Sequence, residues 1–491
     1  MNRCQRYGPS TICVFTLTLA VVGISPASLR SSEPIDQDKA RIAMRRVLSF
    51  YRQEVGYQGA YLWRYSADLS QREGEGVATR TSGWTQPPGS PSVGEAYLEA
   101  WRLCGDDHCL QASVEVARAL VRSQLISGGW SSHFDLGKEG RRRYAYRTDQ
   151  PRSSGRNLTT FDDNKSQSAL ALLMHVDEAL EFRDRSIHEA VEYALDKMLL
   201  VQYPNGAWPQ QYAEPANPDQ YPVKRASYPD SWSRTYPQKD YRGYYTLNDN
   251  NMSHIIDMLF EAWRIYGRSD CFDAAKRTGD FFLLAQMPDP QPGWAQQYDR
   301  NMHPAWARKF EPASITGGES QSVMRALLTL YRFTADNRYI RTLPKALTYY
   351  RKSRLADGRL ARFYELRTNK PLYFTKDYQL TYSDADMPTH YGFQVGSNLD
   401  SIQRELQELA SLPDDQLKPR QHITRPAVMS RRLAGQAEAV IEAIDDRGAW
   451  VEDGKMRYQA ADARSVNRVI EMKTLVRNLE ILAKYVGAIS R

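Results

Sequence analysis

Long apolar runs, cysteines and histidines are all scarce in this sequence of 491 residues. The one run apolar enough for a membrane, Ile12 to Ile24, is shorter than the roughly 20 residues of a spanning helix, so we expect no integral membrane protein. None of the eight histidines lies in a His-Glu-x-x-His run, and no Gly-x-Ser-x-Gly or phosphate-binding loop occurs. The sequence therefore gives no basis for zinc hydrolysis, a serine nucleophile or nucleotide binding.

The apolar run has the features of a secretory signal peptide. Arg3 and Arg6 precede it and Ser25-Pro26-Ala27 follows it, which is the usual order of charged, apolar and small residues. We expect residues 1–27 to be removed and the protein to be secreted or periplasmic. Losing two arginines lowers the formal net charge from +7 to +5, which is too little to indicate nucleic acid without a basic patch. We expect neither a nucleic acid nor a membrane as partner, and we expect a monomer.

Three cysteines remain after the signal peptide. Cys104 and Cys109 flank a tight loop that an exported protein could close as a disulfide. A zinc site including His108 is the alternative, but no second ligand pair with zinc spacing lies nearby. Cys271 has no obvious partner, and we expect it to be buried.

Amphipathic helical patterns dominate the chain and are followed by similar loops. Trp130, Trp208 and Trp294 each follow a Gly-containing loop, 78 and then 86 residues apart, and Trp450 follows a fainter copy. Such spacing indicates repeated helical hairpins, and closing them into a ring buries their open faces. We predict a mainly α protein with an α/α toroid over residues 28–382, an irregular connection over 383–426, and C-terminal helices over 427–491 that complete the toroid.

The repeated tryptophans have two interpretations. Each could pack on its own hairpin, or their rings could stack on sugars in a groove at one end of the ring. The 30 tyrosines and 10 tryptophans make a carbohydrate groove worth testing.

Two polar segments lie just before predicted inner helices: Thr160 to Lys165, and Tyr244 to Asn251. One Asp or Asn suffices to cap a helix, but the first segment has two carboxylates and the second has one among three amides. Ca²⁺ takes six to eight such oxygen ligands. Because EF-hand spacing is absent, a calcium site would have to be assembled across repeats.

These segments belong to a larger ordered set of motifs. The set resembles the motifs of family 10 polysaccharide lyases, the pectate lyases of toroid fold, and the resemblance fades after about Lys376. Its members are Thr160 to Asp162, Gln202 to Gln210, Leu247 to Asp249, Pro304 to Ser320, Ala361 to Glu365 and Thr368 to Pro371.

The resemblance implies calcium-assisted cleavage of polygalacturonate, an acidic polysaccharide, by anti β-elimination. It places calcium on Asp162 and Asp249, and Asp163 adds a third carboxylate. It also implies that Arg308 is the base and that Arg362 binds substrate. A second substrate-binding arginine of the family falls on Lys376, so lysine replaces arginine at that position. Further candidates for substrate contact are Lys165 and Tyr245.

The chemistry explains why cations are required. The proton removed at C5 lies next to a carboxylate whose charge opposes the developing carbanion, so calcium and arginine must neutralise it. An arginine base must lose a proton that it normally keeps, so we expect nearby cations and bound calcium to depress its pKa, which would favour alkaline conditions. Tyr245 or Lys376 is the alternative base.

Two other functions remain open from the sequence. An inverting glycoside hydrolase would use two separated carboxylates from among Asp163, Asp249 and Glu311. A non-catalytic polyuronide-binding protein would keep the groove, but it would not need Arg308.

Overall fold

A computed structural model describes residues 36–149, 155–417, 425–459 and 466–489. The predicted signal peptide, residues 1–27, lies outside these ranges. No helix in the described ranges is both long enough and apolar enough to cross a membrane.

The described part of the chain is mainly helical, as predicted. Its α-helices are α1 (Gln37–Phe50), α2 (Ser90–Cys104), α3 (Asp107–Ser123), α4 (Lys138–Arg141), α5 (Lys165–Ala179), α6 (Arg185–Leu199), α7 (Asn251–Tyr266), α8 (Ser269–Ala285), α9 (Glu319–Thr334), α10 (Arg338–Arg341), α11 (Leu343–Lys352), α12 (Leu399–Ser411), α13 (Arg431–Glu442) and α14 (Met472–Val486).

The strands are short, and all their pairings are antiparallel. They are β1 (Arg64–Ser66), β2 (Arg72–Glu73), β3 (Ser82–Trp84), β4 (His133–Asp135), β5 (Thr159–Thr160), β6 (Gln211–Tyr212), β7 (Tyr245–Thr246), β8 (Gln297–Tyr298), β9 (Ile315–Thr316), β10 (Leu360–Ala361), β11 (Phe363–Tyr364), β12 (Pro371–Phe374), β13 (Leu380–Thr381), β14 (Gln394–Val395), β15 (Glu452–Asp453) and β16 (Arg468–Glu471). The two largest sheets have the strand orders β15-β16-β1-β2 and β13-β12-β11-β9.

The helices form an α/α toroid, which confirms the predicted fold class. Inner helices pack side by side in the order α14, α2, α5, α7, α9 and α12. Outer helices pack against them as hairpin partners: α3 on α2, α6 on α5, and α8 on α7. A continuous apolar core fills the space between the two layers.

The predicted irregular connection over 383–426 is wrong in part. It contains helix α12, which buries Leu399, Ile402, Leu406 and Leu409 on one face. These residues have helical spacing, but only 13 residues carry it between polar stretches rich in Asp, Pro and Gln, so the periodicity is hard to see.

The three repeated tryptophans are fully buried and hold the loops in place. The indole nitrogens of Trp130 and Trp294 donate to the carbonyls of Leu120 and Phe282, on the outer helices that precede their loops. The Trp carbonyls accept from Thr160, Thr246 and Thr316, which end the strands before α5, α7 and α9. The loops therefore share the rim at which the inner helices begin, as predicted, and the tryptophans are structural and do not stack on sugars.

The predicted disulfide is absent. Cys104 and Cys109 are free thiols, and a hydrogen bond between them holds the pKa of Cys104 below its usual value. His108 pairs with Asp106 at 2.9 Å and does not take part in a group of metal ligands in the described residues. Cys271 is buried, as expected.

Candidate active site

The candidate site lies where helices α5 and α7 begin. Strands β5 and β7 each lead into one turn of 3-10 helix, Asp162–Asn164 and Asn248–Asn250, before the inner helix starts. In each turn the last two residues have left-handed backbone angles, with φ of 48° and 60° in the first and 52° and 60° in the second. Asp and Asn tolerate this conformation better than most residues, which explains why both turns consist of them.

The two turns bring three carboxylates together. Asp162, Asp163 and Asp249 each offer an oxygen, and these atoms lie within 4.8 Å of one another. Amide groups orient the cluster: Gln210 Nε2 donates to Asp162 Oδ1 at 2.8 Å, and Asn248 Nδ2 donates to Asp249 Oδ2 at 2.7 Å. The predicted convergence of Asp162 and Asp249 is confirmed as geometry.

Negative charge is in excess in this cluster. The one ammonium group within it belongs to Lys165, whose buried Nζ lies 3.2 Å from Asp162 Oδ2 and 3.2 Å from Asp163 Oδ2. Burial and repulsion by Asp163 raise the pKa of Asp249 to about 8. A divalent cation with a preference for oxygen ligands would relieve this repulsion, so the residues fit Ca²⁺.

Arg308 contacts the cluster directly. Its Nη2 lies 2.6 Å from Glu311 Oε1 and 3.2 Å from Asp249 Oδ2. Trp306 Nε1 donates to the Arg308 carbonyl at 2.9 Å, and the guanidinium carbon lies 5.6 Å from the ring centre of Phe310. The loop thus fixes both the backbone and the side chain of Arg308.

Carboxylates surround Arg308, and its guanidinium touches Asp249 directly. Burial lowers the pKa of Arg308, but Glu311 and Asp249 outweigh it and hold the pKa above its usual value. The expected depression of this pKa by cations of the chain is therefore wrong, and the contribution of bound calcium stays a prediction.

A second arginine, Arg362, lines a cavity beside the carboxylate cluster. Arg362 Nη1 lies 2.9 Å from Glu319 Oε1, and Arg362 Nε donates to the Gly392 carbonyl at 2.6 Å. A cavity of about 310 Å³ lies between Asp249, Glu319 and Arg362. An acidic sugar entering it would meet a guanidinium beside the carboxylate cluster.

Two predicted substrate-binding residues lie elsewhere. Tyr245 is fully buried against Tyr203 and Phe281, so it does not reach a substrate, which argues against both its predicted contact and the alternative in which it is the base. Lys376 is largely exposed and pairs with Asp386 at 3.0 Å. No contact in the described residues joins Lys376 to the carboxylate cluster.

Sequence reasoning missed several members of the site. The sequence predicts a role for Glu311 only as a hydrolase carboxylate, and it predicts no role in the site for Glu319 or Tyr391. The Gly-Gly-Glu sequence before α9 was a usable signal, because it occupies the place at the rim that the Asp-containing turns occupy before α5 and α7.

The described residues thus form an α/α toroid whose rim carries a cluster of carboxylates beside arginines. Residues 124–360 match the family model described as pectic acid lyase, and this range includes Asp162, Asp163, Asp249 and Arg308. This match covers just under half of the chain and supports a lyase that is similar to pectic acid lyases over this range. Arg362, Lys376 and Tyr391 lie beyond the matched range.

Solved structures provide a further comparison. The family 10 polysaccharide lyase from Cellvibrio cellulosa is 19% identical, with 66% of this chain and 98% of that chain covered and a TM-score of 0.46. A mutant of family 10 polysaccharide lyase from the same organism, in complex with trigalacturonic acid, is 18% identical, with coverage of 65% and 98% and a TM-score of 0.45. An unsaturated glucuronyl hydrolase specific for heparin is 10% identical, with coverage of 91% and 96% and a TM-score of 0.40. No curated protein sequence matches the chain.

Proposed function

We propose that this protein is a calcium-dependent pectate lyase that cleaves polygalacturonate by anti β-elimination with Arg308 as the base. The convergence of Asp162, Asp163 and Asp249 beside Arg308, within the range that matches the family, is the observation that carries the proposal.

The reaction removes the C5 proton, breaks the C4–O4 bond and leaves a 4,5 double bond. The uronate carboxylate next to C5 must be neutralised as negative charge develops. Bound Ca²⁺ would supply a Lewis acid for this carboxylate, held by Asp162, Asp163 and Asp249. Arg362 is placed to bind a carboxylate with its planar fork of donors.

The base role requires Arg308 to be less strongly held than it is between Asp249 and Glu311. If Asp249 bound another cation, its ion pair with Arg308 would weaken. The pair with Glu311 would persist and keep the guanidinium beside the carboxylate cluster. The alkaline preference expected for an arginine base therefore remains part of the proposal.

The two alternative functions have less support. Asp249 and Glu311 contact the same nitrogen of Arg308, at 3.2 and 2.6 Å, so these oxygens are closer than the roughly 6.5–9.5 Å of inverting hydrolases. Asp163 and Asp249 are also too close, with oxygens within 4.8 Å. A binding protein without activity would not need an arginine poised at the cluster.

The deciding experiment measures ultraviolet absorbance of unsaturated uronide during incubation with polygalacturonate, with and without a calcium chelator. We expect absorbance to rise only when calcium is present. Release of saturated fragments would instead indicate hydrolysis, and chelator-insensitive release of unsaturated product would remove calcium from the proposal.

We also propose that the enzyme acts outside the cytoplasm, as the signal-like sequence of residues 1–27 indicates. N-terminal sequencing of protein recovered from the periplasm or medium should begin near residue 28. Recovery of the uncleaved chain in the cytoplasm would contradict this.

A further inference from the structure

Tyr391 lies between the two arginines of the candidate site. Its hydroxyl donates to Glu311 Oε1 at 3.1 Å, and this is the same oxygen that Arg308 Nη2 contacts at 2.6 Å. The same hydroxyl accepts from Arg362 Nη1 at 3.4 Å. One phenol group therefore links the partner of Arg308 to Arg362.

The ring of Tyr391 makes a second set of contacts. The guanidinium carbon of Arg362 lies 4.7 Å from the ring centre, and that of Arg308 lies 6.0 Å away. A guanidinium over an aromatic face is attracted by the ring quadrupole. The other neighbours of the ring are aromatic: Phe363 is stacked at 6.3 Å, and Phe310 is 4.7 Å away.

The protonation state of Tyr391 suits this linking role. Burial and the charge of Glu311 raise its pKa well above the usual value, so the phenol keeps its proton and remains a donor. Gln296 Nε2 donates to the hydroxyl at 3.1 Å and also to Glu319 Oε1 at 3.1 Å. These bonds fix the direction in which the hydroxyl proton points.

The chain that supplies Tyr391 lies beyond the range that matches the family, which ends at residue 360. Strand β14 pairs with β10, in register from Ala361 opposite Gln394, and this pairing brings the neighbouring Tyr391 over the site. Phe393 packs into a small separate cluster with Phe363 and Trp306. The segment thus has its own packing and is well anchored beside the arginines.

We infer that Tyr391 is a positioning residue that sets the placement of Arg308, through Glu311, and of Arg362 by direct contact. This inference rests on the proposed function for its catalytic meaning. Without the hydroxyl, Glu311 and Arg362 each lose a hydrogen bond, and the two guanidinium groups are no longer linked.

The test compares Tyr391→Phe with the wild type on polygalacturonate in the presence of calcium. We expect kcat to fall by about tenfold or more while KM changes less, because hydrogen bonds to charged groups are lost where the chemistry occurs. Tyr298→Phe is the matched control: this buried hydroxyl donates to the Ala285 carbonyl and touches neither arginine. It should lose stability and keep kcat.

A double-mutant cycle separates positioning from general packing. In a Glu311→Gln background, Tyr391→Phe should cost much less in kcat than in the wild type, because the shared contact is already altered. The pair of Tyr298→Phe and Glu311→Gln should be additive. Additive losses for Tyr391 and Glu311, or an unchanged kcat in Tyr391→Phe, would overturn the inference while leaving the lyase proposal intact.

A measurement independent of activity covers the case in which the proposed function fails. Labelling with an arginine-selective dicarbonyl reagent, followed by peptide mass spectrometry, reports how firmly each guanidinium is held. We expect Tyr391→Phe to raise the labelling rates of Arg308 and Arg362 several-fold, and Tyr298→Phe to leave them unchanged. Equal rates in the wild type and Tyr391→Phe would refute the positioning role even in an inactive protein.

Discussion

Asp163 and Asp249 occupy the same position in two successive repeats: each is the middle residue of a 3-10 turn, and each has a left-handed backbone, with φ of 48° and 52°. An asparagine with φ of 60° follows each of them. The same local structure is thus used twice on adjacent inner helices, α5 and α7. Because these helices pack together, the carboxylates at the starts of the two helices form one cluster.

Asp249→Asn should abolish calcium-dependent activity without unfolding the protein. The carboxylate is repelled by Asp163 and Asp162, so its removal relieves strain in the calcium-free protein. We expect the melting temperature without calcium to stay within a few degrees of wild type. Turnover should fall by about two orders of magnitude or more, as for loss of a group that stabilises transition-state charge.

The control for this substitution is Asp257→Asn, further along α7. Burial and Glu261 raise the pKa of Asp257 to about 6, but it lies outside the cluster. It should keep both activity and the stabilisation by calcium, measured as a rise in melting temperature. Calcium stabilisation that survives in Asp249→Asn and is lost in Asp257→Asn would place the metal elsewhere.

The stability of the toroid should fall at high pH because of His175. This side chain bridges Glu95 at 2.7 Å and Glu261 at 3.7 Å, on the flanking inner helices α2 and α7. Burial lowers the pKa of His175, but the two carboxylates outweigh it and raise the value to about 9. Because folding raises the pKa of His175, its protonated form stabilises the fold. This contribution is complete below pH 6.5 and is lost as pH rises through 9.

Chemical denaturation between pH 6 and 10 checks this prediction. The free energy of unfolding of the wild type should fall across this range relative to that of His175→Gln, because glutamine cannot be protonated and so forms no ion pair with the two carboxylates. The same comparison with His303→Gln, a loop histidine, should show no difference in slope. Glu261 contributes to stability at the acid end of the pH range. Its pKa is lowered to about 2, so this contribution is present above pH 4.5 and is lost as pH falls through 2.

Trp294→Phe should reduce stability and leave catalysis unchanged. The indole is fully buried and donates to the Phe282 carbonyl at 2.8 Å, so the smaller ring leaves a cavity and removes this hydrogen bond, although Gln286 N–H still donates to the same carbonyl at 3.1 Å. We expect a loss of about 2–4 kcal/mol in the free energy of unfolding. Trp263→Phe, at a partly exposed indole, should cost much less. An increase in KM for polygalacturonate with full stability would instead support sugar stacking by Trp294.

The repeat architecture could be predicted because its signals are local. Each loop from Gly to Trp follows one helix directly, and each Asp-containing turn ends at the residue before a helix starts. Helix periodicity, turn residues and their spacing are therefore visible within short windows of sequence. Those windows sufficed to predict the toroid, the shared rim and the meeting of Asp162 with Asp249.

The surroundings of Arg308 could not be predicted in the same way. Its contact with Asp249 joins residues 59 positions apart, and the contact of Tyr391 with Glu311 joins residues 80 positions apart. Such contacts depend on how loops fold back over the rim. The flanking aromatics of Arg308 were visible, but nothing in a short window indicated that two carboxylates would hold its guanidinium.

Arg308→Lys is the decisive substitution for the mechanism. Lysine keeps the positive charge and can still pair with Glu311, so we expect the fold and substrate affinity to persist. It loses the rigid planar guanidinium with its fixed donor directions, and its ammonium would carry the reactive proton at a different point. Turnover should therefore fall by about two orders of magnitude or more, measured as release of unsaturated product. Arg118→Lys, at an arginine on the outer helix α3 that pairs with Asp184, is the control and should stay within a few fold of wild type. If Arg308→Ala released unsaturated product at nearly the wild-type rate, another group would have to be the base, although the family assignment and the carboxylate cluster would be unaffected.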